Sequence, residues 1–185
     1  MYYALVHFPH IETTSIQIIR HKYDPTAHLV PAHITILFPV PDKISKKSLT
    51  NHIKSVLKHW KPFLIRINGL YKSWDNWLFL TIKDGNDEIF RLHKQIYTGI
   101  LRPYQRDDLD FVPHISLGLF VKEGLKYDFE NPQELEFDAQ KYEAAVNEAN
   151  QLGLDYRCWF DKLHLVTLTN DFSKIEIISE FLLGG

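Results

Sequence analysis

The sequence predicts an α+β fold: a single domain of two similar lobes, each with a mainly antiparallel sheet and helices on its outer face. Hydrophobic residues make up 45% of the 185-residue chain, which is typical of a globular protein. The apolar periodicity indicates the order strand-helix-strand-helix-strand, twice, and each half carries a histidine followed two residues later by a hydroxyl residue. We therefore expect lobes of roughly 1–71 and 76–185 around a pseudo-two-fold axis, with an active-site groove between them.

Each element of the first half has its own signal. Thr13 is a candidate helix cap, and Pro25 ends the helix that follows it. From Ser45 onwards, apolar residues recur at the spacing of a helix with one buried face, up to Pro62. The predicted elements are strand 2–8, helix 13–23, strand 33–38, a helix that begins at Ser45, and strand 63–71.

The second half repeats this order after a hairpin-like joint at 72–75. Gly153 is a typical stop for the last predicted helix. The predicted elements are strand 77–82, helix 87–101, strand 112–121, helix 138–152, strand 159–169 and a final strand 174–182.

Charge and cysteine content exclude several classes of protein. The formal net charge is −2, which argues against an extended surface for duplex DNA but is compatible with a small anion or a strand end as substrate. The N-terminus does not resemble a signal peptide and no stretch approaches the ~18 apolar residues of a membrane span, so we expect a cytoplasmic protein without membrane contact. With Cys158 as its only cysteine, the sequence predicts no disulfide and no redox motif, and it indicates no cofactor or protein partner.

Two histidine motifs are the most informative residues of the chain. They are His33-Ile34-Thr35-Ile36 and His114-Ile115-Ser116-Leu117. Alternate side chains of a strand share a face, so His33 and Thr35 point one way while the isoleucines between and after them point the other way. His114 and Ser116 repeat this arrangement. If the helices cover the isoleucine faces, all four polar groups converge on the groove.

This set of groups suits phosphoryl transfer. One imidazole can take a proton from the attacking oxygen while the other gives a proton to the leaving oxygen, because a pKa near ~6.5 leaves both forms populated. The hydroxyls of Thr35 and Ser116 can donate hydrogen bonds to the non-bridging phosphate oxygens. The sequence offers no spacing of histidines or carboxylates that is suited to zinc or magnesium, so the predicted reaction needs no metal.

The paired motifs resemble those of the two-histidine (2H) phosphoesterases, which include 2'-5' RNA ligase-like proteins and cyclic nucleotide phosphodiesterases. The mark of that family is two copies of His-x-Ser/Thr followed by a hydrophobic residue. The resemblance implies a bilobal fold over the whole chain. It implies either hydrolysis of a 2',3'-cyclic phosphate or related phosphodiester of a nucleotide or RNA end, or the joining or trimming of RNA ends, and it does not choose among these. It also implies that His33 and His114 are catalytic and that Thr35 and Ser116 hold phosphate.

The polar loop before the second motif supplies further candidates for substrate binding. Tyr104 could stack on a base, since aromatic faces bind any nucleobase. Arg102 and Arg106 could reach a phosphate. The loop is expected to overhang the groove.

Two other interpretations fit the same residues. The chain could be a non-catalytic module that binds a nucleotide or an RNA end in the same groove, or a structural domain whose paired motifs are coincidental. Turnover separates the enzyme from the binding module. The residues leave open which histidine acts as acid and which as base.

Overall fold

A computed structural model describes residues 1–122, 135–169 and 173–184, which contain eight strands and four α-helices. The strands are β1 (Tyr2–His7), β2 (Ile34–Pro41), β3 (Phe63–Lys72), β4 (Trp77–Asp84), β5 (His114–Leu119), β6 (Asp155–Phe160), β7 (Lys162–Leu168) and β8 (Ile175–Leu182). The helices are α1 (Thr14–Tyr23), α2 (Lys46–Leu57), α3 (Asn86–Ile96) and α4 (Ala139–Leu152), with a 3-10 helix at Gly99–Tyr104.

The strands form two four-stranded sheets, one in each lobe. The first sheet has the order β2-β1-β7-β8 and the second has the order β5-β4-β3-β6. Every neighbouring pair in both sheets is antiparallel. The predicted α+β class and two-lobed architecture are confirmed.

The lobes are not the contiguous halves 1–71 and 76–185. Strand β3 comes from the first half but pairs with β4 and β6 in the second sheet. Strands β7 and β8 come from the second half but complete the first sheet. The stretch 159–169, predicted as one strand, is two strands that meet at Asp161, where the chain passes from the second sheet to the first.

The helices also cross between the halves. Helix α1 packs on β5 and α4, whereas α3 packs on β2 and α2. Helix α2 begins where Ser45 caps it by accepting a hydrogen bond from the amide of Ser48, and α4 ends at Gly153, whose φ is 59°. Helix α3 ends at Ile96 rather than at 101, because the chain tightens into the 3-10 helix there.

The main core lies between the helices and one face of each sheet. Ile34, Ile36, Ile115 and Leu117 are all fully buried in it. Strand alternation therefore turns the polar residues of both motifs toward the opposite sheet faces. No helix in the described ranges is long and apolar enough to cross a membrane.

Candidate active site

Both motifs lie on outer strands of their sheets, and these two strands adjoin. Strand β2 is an edge of the first sheet, β5 is an edge of the second, and the two are in contact. His33 directly precedes β2, and His114 is the first residue of β5. The structure thus brings together motifs that are about eighty residues apart in the sequence.

The side chains alternate as the sequence predicts. Thr35 and Ser116 are half-buried, whereas the residues on either side of each are buried. His33 and His114 are half-buried as well. Both hydroxyls therefore lie on the same sheet faces as their histidines.

Each imidazole is fixed by the same local hydrogen bond. Nδ1 of His33 lies 2.8 Å from the carbonyl oxygen of Pro31, and Nδ1 of His114 lies 2.6 Å from that of Val112. A carbonyl oxygen only accepts, so Nδ1 carries the proton in both rings. In a neutral ring, Nε2 is then the lone-pair nitrogen. The two motifs therefore leave the same ring nitrogen, Nε2, available to a ligand.

Apolar surroundings dominate the protonation of His114. Burial lowers its pKa to about 4, the hydrogen bond to Val112 raises it, and the charge of His33 lowers it. The ring of Phe79 stacks on the imidazole, with 3.4 Å between ring centroids and 14° between planes. Phe79 lies on β4 and pairs with Ser116, so the sheet itself supplies the stacking partner.

His33 is also affected mainly by burial, and in addition by one ion pair. Burial lowers the pKa of His33, the hydrogen bond to Pro31 raises it, the Arg20 charge lowers it and the Asp24 charge raises it. Arg20 and Asp24 form a buried ion pair at 2.8 Å. Arg20 also donates a 3.0 Å hydrogen bond to the carbonyl of Val30, which fixes the segment that enters the first motif.

Helix α3 and Tyr97, the residue that follows it, hydrogen-bond to two backbone groups of β2. Ring nitrogen Nδ1 of His93 donates to the carbonyl of Ile36 at 2.8 Å, and the amide of Phe38 donates to the hydroxyl of Tyr97 at 3.0 Å. The His93 ring also stacks on Phe111, three residues before His114, with 3.6 Å between centroids. One helix thus contacts the strand of the first motif and the segment that leads into the second.

The three loop candidates are placed differently from the motif residues. Arg106 forms an ion pair with Asp108 at 2.6 Å, and Arg102 lies 3.9 Å from Asp107 and hydrogen-bonds to Gln105. These partners of the two arginines belong to the loop itself. Tyr104 packs against the main core. The role of all three residues in substrate binding stays a prediction.

Sequence reasoning missed three side chains next to the histidines. Phe79 stacks on His114, Phe8 lies edge-on to His33 with 6.1 Å between ring centroids, and Arg20 acts on His33 through its charge. Strand alternation puts Phe79 on one face of β4, but only the pairing register places that face beside His114. Arg20 carried no sequence signal, because a buried arginine within an amphipathic helix looks like a solvated one.

The arrangement offers two imidazoles and two hydroxyls on adjoining strands. These groups can hold an anion and move protons to and from it. Among the described residues, no three His, Cys, Asp or Glu side chains cluster in a way that could hold a metal ion.

A family model for the 2'-5' RNA ligase superfamily matches residues 8–171. The chain belongs to this superfamily. The match covers both histidine motifs and all four α-helices.

Curated relatives of this 2'-5' RNA ligase superfamily protein are provisionally named phosphoesterases. A protein of Bacillus licheniformis, provisionally named a phosphoesterase, is 28% identical over 123 residues, which are 63% of this chain and 70% of that protein. A Geobacillus kaustophilus protein with the same provisional name is 28% identical over 102 residues, or 54% of this chain and 57% of that one. Together with the family model, these relatives support phosphoesterase chemistry at the level of the superfamily.

Solved structures share the fold at low identity. Escherichia coli LigT in complex with 3'-AMP has a TM-score of 0.61 at 11% identity, covering 100% of this chain and 98% of LigT. TT0787 of Thermus thermophilus has a TM-score of 0.61 at 15% identity, with 100% and 99% covered. The likeness shows that these chains share the two-lobed architecture.

Proposed function

We propose that this protein is a metal-independent phosphoesterase that acts on a 2',3'-cyclic phosphate or related phosphodiester of a nucleotide or RNA end in the cytoplasm. The observation that carries the proposal is the repeated geometry of the motifs. Two imidazoles on adjoining edge strands, each with Nδ1 held by its own backbone, leave both Nε2 atoms for proton transfer. LigT, which has the same fold, was crystallised with 3'-AMP and with phosphate, which supports a nucleotide phosphate as ligand.

In the proposed reaction, one neutral histidine takes a proton from a water molecule as its oxygen attacks phosphorus. The bond from phosphorus to one ribose oxygen breaks, and the other histidine, in its charged form, gives that oxygen a proton. The products are a phosphate monoester and a free ribose hydroxyl. Thr35 and Ser116 hold the non-bridging oxygens, on which negative charge grows in the transition state. Arg102, Arg106 and Tyr104 are proposed as additional substrate contacts.

The proposed reaction requires one of the two histidines to be protonated. Burial lowers the pKa of both His33 and His114, which favours the neutral form of both rings in the free protein. A bound phosphate supplies a negative charge within contact distance, which favours the imidazolium form. Binding of the substrate would thus favour protonation of the histidine that then acts as the general acid. If it fails to do so, the protein is a nucleotide or RNA-end binding module, which is the second candidate function.

The test is turnover with excess EDTA present. We expect 2',3'-cyclic nucleotides or short RNAs that end in a cyclic phosphate to be opened to monoesters at an undiminished rate in the chelator. Activity that EDTA abolishes and zinc or manganese restores would contradict a two-histidine mechanism. Saturable binding of these ligands without product would establish the binding module instead.

A further inference from the structure

The sheet face that carries His114 continues across the second sheet. His114 pairs with Thr81 on β4, and the Thr81 hydroxyl donates to the carbonyls of Asn68 and Gly69 on β3. Farther along the same strands, buried residues mark the core face: Ile65, Ile67, Ile82, Cys158 and Phe160. The residues that alternate with them on β3 and β6, namely Arg66, Arg157, Leu64 and Trp159, therefore lie on the face of His114. Asp84 pairs with Arg66, and Lys83 lies next to it in a bulge of β4.

Three of these side chains form a cationic cluster. Asp155 is held by two hydrogen bonds from Arg66, at 2.9 Å and 2.6 Å. The charges of Arg66, Arg157 and Lys83 all act on this one carboxylate. A second carboxylate, that of Asp84, is paired with Arg66 and acts on its charge, so three cations and two anions leave one net positive charge, on a protein whose formal net charge is −2. We call Lys83, Arg66 and Arg157 the basic strip.

An apolar platform adjoins the basic strip. Leu64 and Trp159 are directly paired across β3 and β6. They are 58% and 55% exposed, which is unusual for large apolar side chains on a sheet. Their neighbours on the same strands and the same face, Arg66 and Arg157, are also paired with each other. Cationic side chains beside an exposed indole match the alternation of phosphates and bases in a single nucleic-acid strand.

We infer that the basic strip and Trp159 bind the nucleotides that precede the reacting phosphate, so that the substrate is a single-stranded oligonucleotide rather than a mononucleotide. This inference rests on the proposed function, whose substrate class it narrows. Neighbouring strands lie ~4.8 Å apart, so β3 is about 10 Å from β5 across the sheet. The Arg66 guanidinium is bound to Asp155 on β6, on the side of β3 away from β5, so a phosphate at His114 does not contact it. Only a ligand with a further phosphate spans both places.

The test compares two substrates on the same protein. One is a 2',3'-cyclic mononucleotide and the other is a tetranucleotide that ends in the same cyclic phosphate. We expect a larger kcat/KM for the tetranucleotide, with a KM that rises with salt. Arg157→Ala and Lys83→Ala should each lower kcat/KM for the tetranucleotide several-fold and reduce its logarithmic salt slope by about 0.7, the value for one phosphate of a single strand. The mononucleotide should be cleaved as before.

Two further variants sharpen the result. Asp155→Asn removes the carboxylate that Arg66 binds and should raise kcat/KM for the tetranucleotide, the opposite direction to the other changes. Trp159→Ala should lower it about tenfold through lost stacking. Lys54→Ala is the matched control, because Lys54 is an exposed lysine on α2, away from this sheet face.

Equal kcat/KM for the two substrates in the native protein would overturn the inference. So would Arg157→Ala and Lys83→Ala variants that behave like Lys54→Ala. If neither substrate is turned over, the proposed function fails, and the strip is tested separately by fluorescence anisotropy with a dye-labelled single-stranded tetranucleotide. Binding weakened by the strip variants and not by Lys54→Ala would support the strip. Equally tight binding of a poly-glutamate peptide would overturn its assignment to nucleic acid.

Discussion

The two motif strands have the same local geometry in different surroundings. In both, Nδ1 of the histidine donates to the carbonyl two residues earlier, and the hydroxyl lies on the same face. Yet His33 lies near the buried ion pair of Arg20 and Asp24, whereas His114 stacks on Phe79. The short motif thus determines where the nitrogen points, and the packing around it determines how readily that nitrogen takes a proton.

The strands are also supported in different ways. Strand β2, an edge of the first sheet, is held by two hydrogen bonds, one from His93 of α3 and one to Tyr97, the residue after that helix. Helix α1 holds β5 by close packing: a Cβ built on Gly118 would lie 2.5 Å from the Cβ of Tyr23. The corresponding position in the first motif is the buried Leu37. A glycine is needed here because the helix leaves no room for a Cβ.

The largest expected effect tests whether the two histidines are equally necessary. His33→Ala and His114→Ala should each lower turnover by about 10²-fold or more, since general acid or base catalysis contributes 10² to 10⁴. The double variant should lose less than the product of the single losses, because the two rings act as one unit. His59→Ala, at an exposed histidine just after α2, is the control. A well-folded His114→Ala protein with normal turnover would refute the mechanism.

The hydroxyls should show a smaller loss that is similar on both sides. Thr35→Ala and Ser116→Ala each remove one hydrogen bond to a charged phosphate, worth roughly 1.5 to 3 kcal/mol. Thr35→Ser and Ser116→Thr keep the donor and should stay close to the native rate. Steady-state kinetics on one cyclic nucleotide measures all four. If an alanine variant matches its conservative partner, that hydroxyl does not bind phosphate.

Sequence reasoning predicted the motifs, their faces and most elements, because each depends on neighbouring residues. It placed the boundary between lobes wrongly, because strand pairing joins residues far apart. Near the stretch predicted as one strand, the buried residues switch from even to odd positions. Cys158 and Phe160 of the main core are even-numbered, whereas Leu163 and Leu165 are odd-numbered. That change marks the crossing between sheets within the stretch predicted as one strand.

The side chains that surround the two histidines could not be predicted from local sequence patterns. Phe79 reaches His114 only through the register in which it pairs with Ser116. Arg20 influences His33 only because α1 packs close to the first motif. Neither relation leaves a periodic pattern in the sequence. The position of the motif side chains on their strands was therefore predictable, but the difference between their environments was not.

A stability measurement tests whether close packing against α1 holds β5 in place. Gly118→Ala should destabilise the fold by ~1 to 3 kcal/mol, because the added methyl overlaps Tyr23 and the ring of Phe120. Gly153→Ala is a control of another kind, since its φ is +59° but nothing lies within 4 Å of its Cβ, so that it introduces only backbone strain. Chemical denaturation should show the larger loss for Gly118→Ala. Equal losses would mean that α1 yields easily and that close packing does not hold β5.

The smallest expected effect concerns pH, and it separates the two rings. With the His114 pKa at about 4 and that of His33 below its usual range, the form with one charged and one neutral ring grows as pH falls from 7, so kcat/KM should be bell-shaped with its maximum below pH ~6.5. The limbs of kcat should lie at higher pH, because bound phosphate raises the pKa of the ring that it contacts.

The variant Phe79→Ala should show which limb of the pH profile belongs to His114. Removing the stacked ring admits water to His114, so its pKa should rise from about 4 toward 6.5, while the surroundings of His33 stay the same. One limb of the kcat/KM profile should then move to higher pH and the other should stay. Titration of the histidine ring resonances by NMR would identify the shifted ring directly. If both limbs moved together, the titrations would belong to a coupled pair, and the contrast between a charged and an apolar environment would not govern the protonation of either ring.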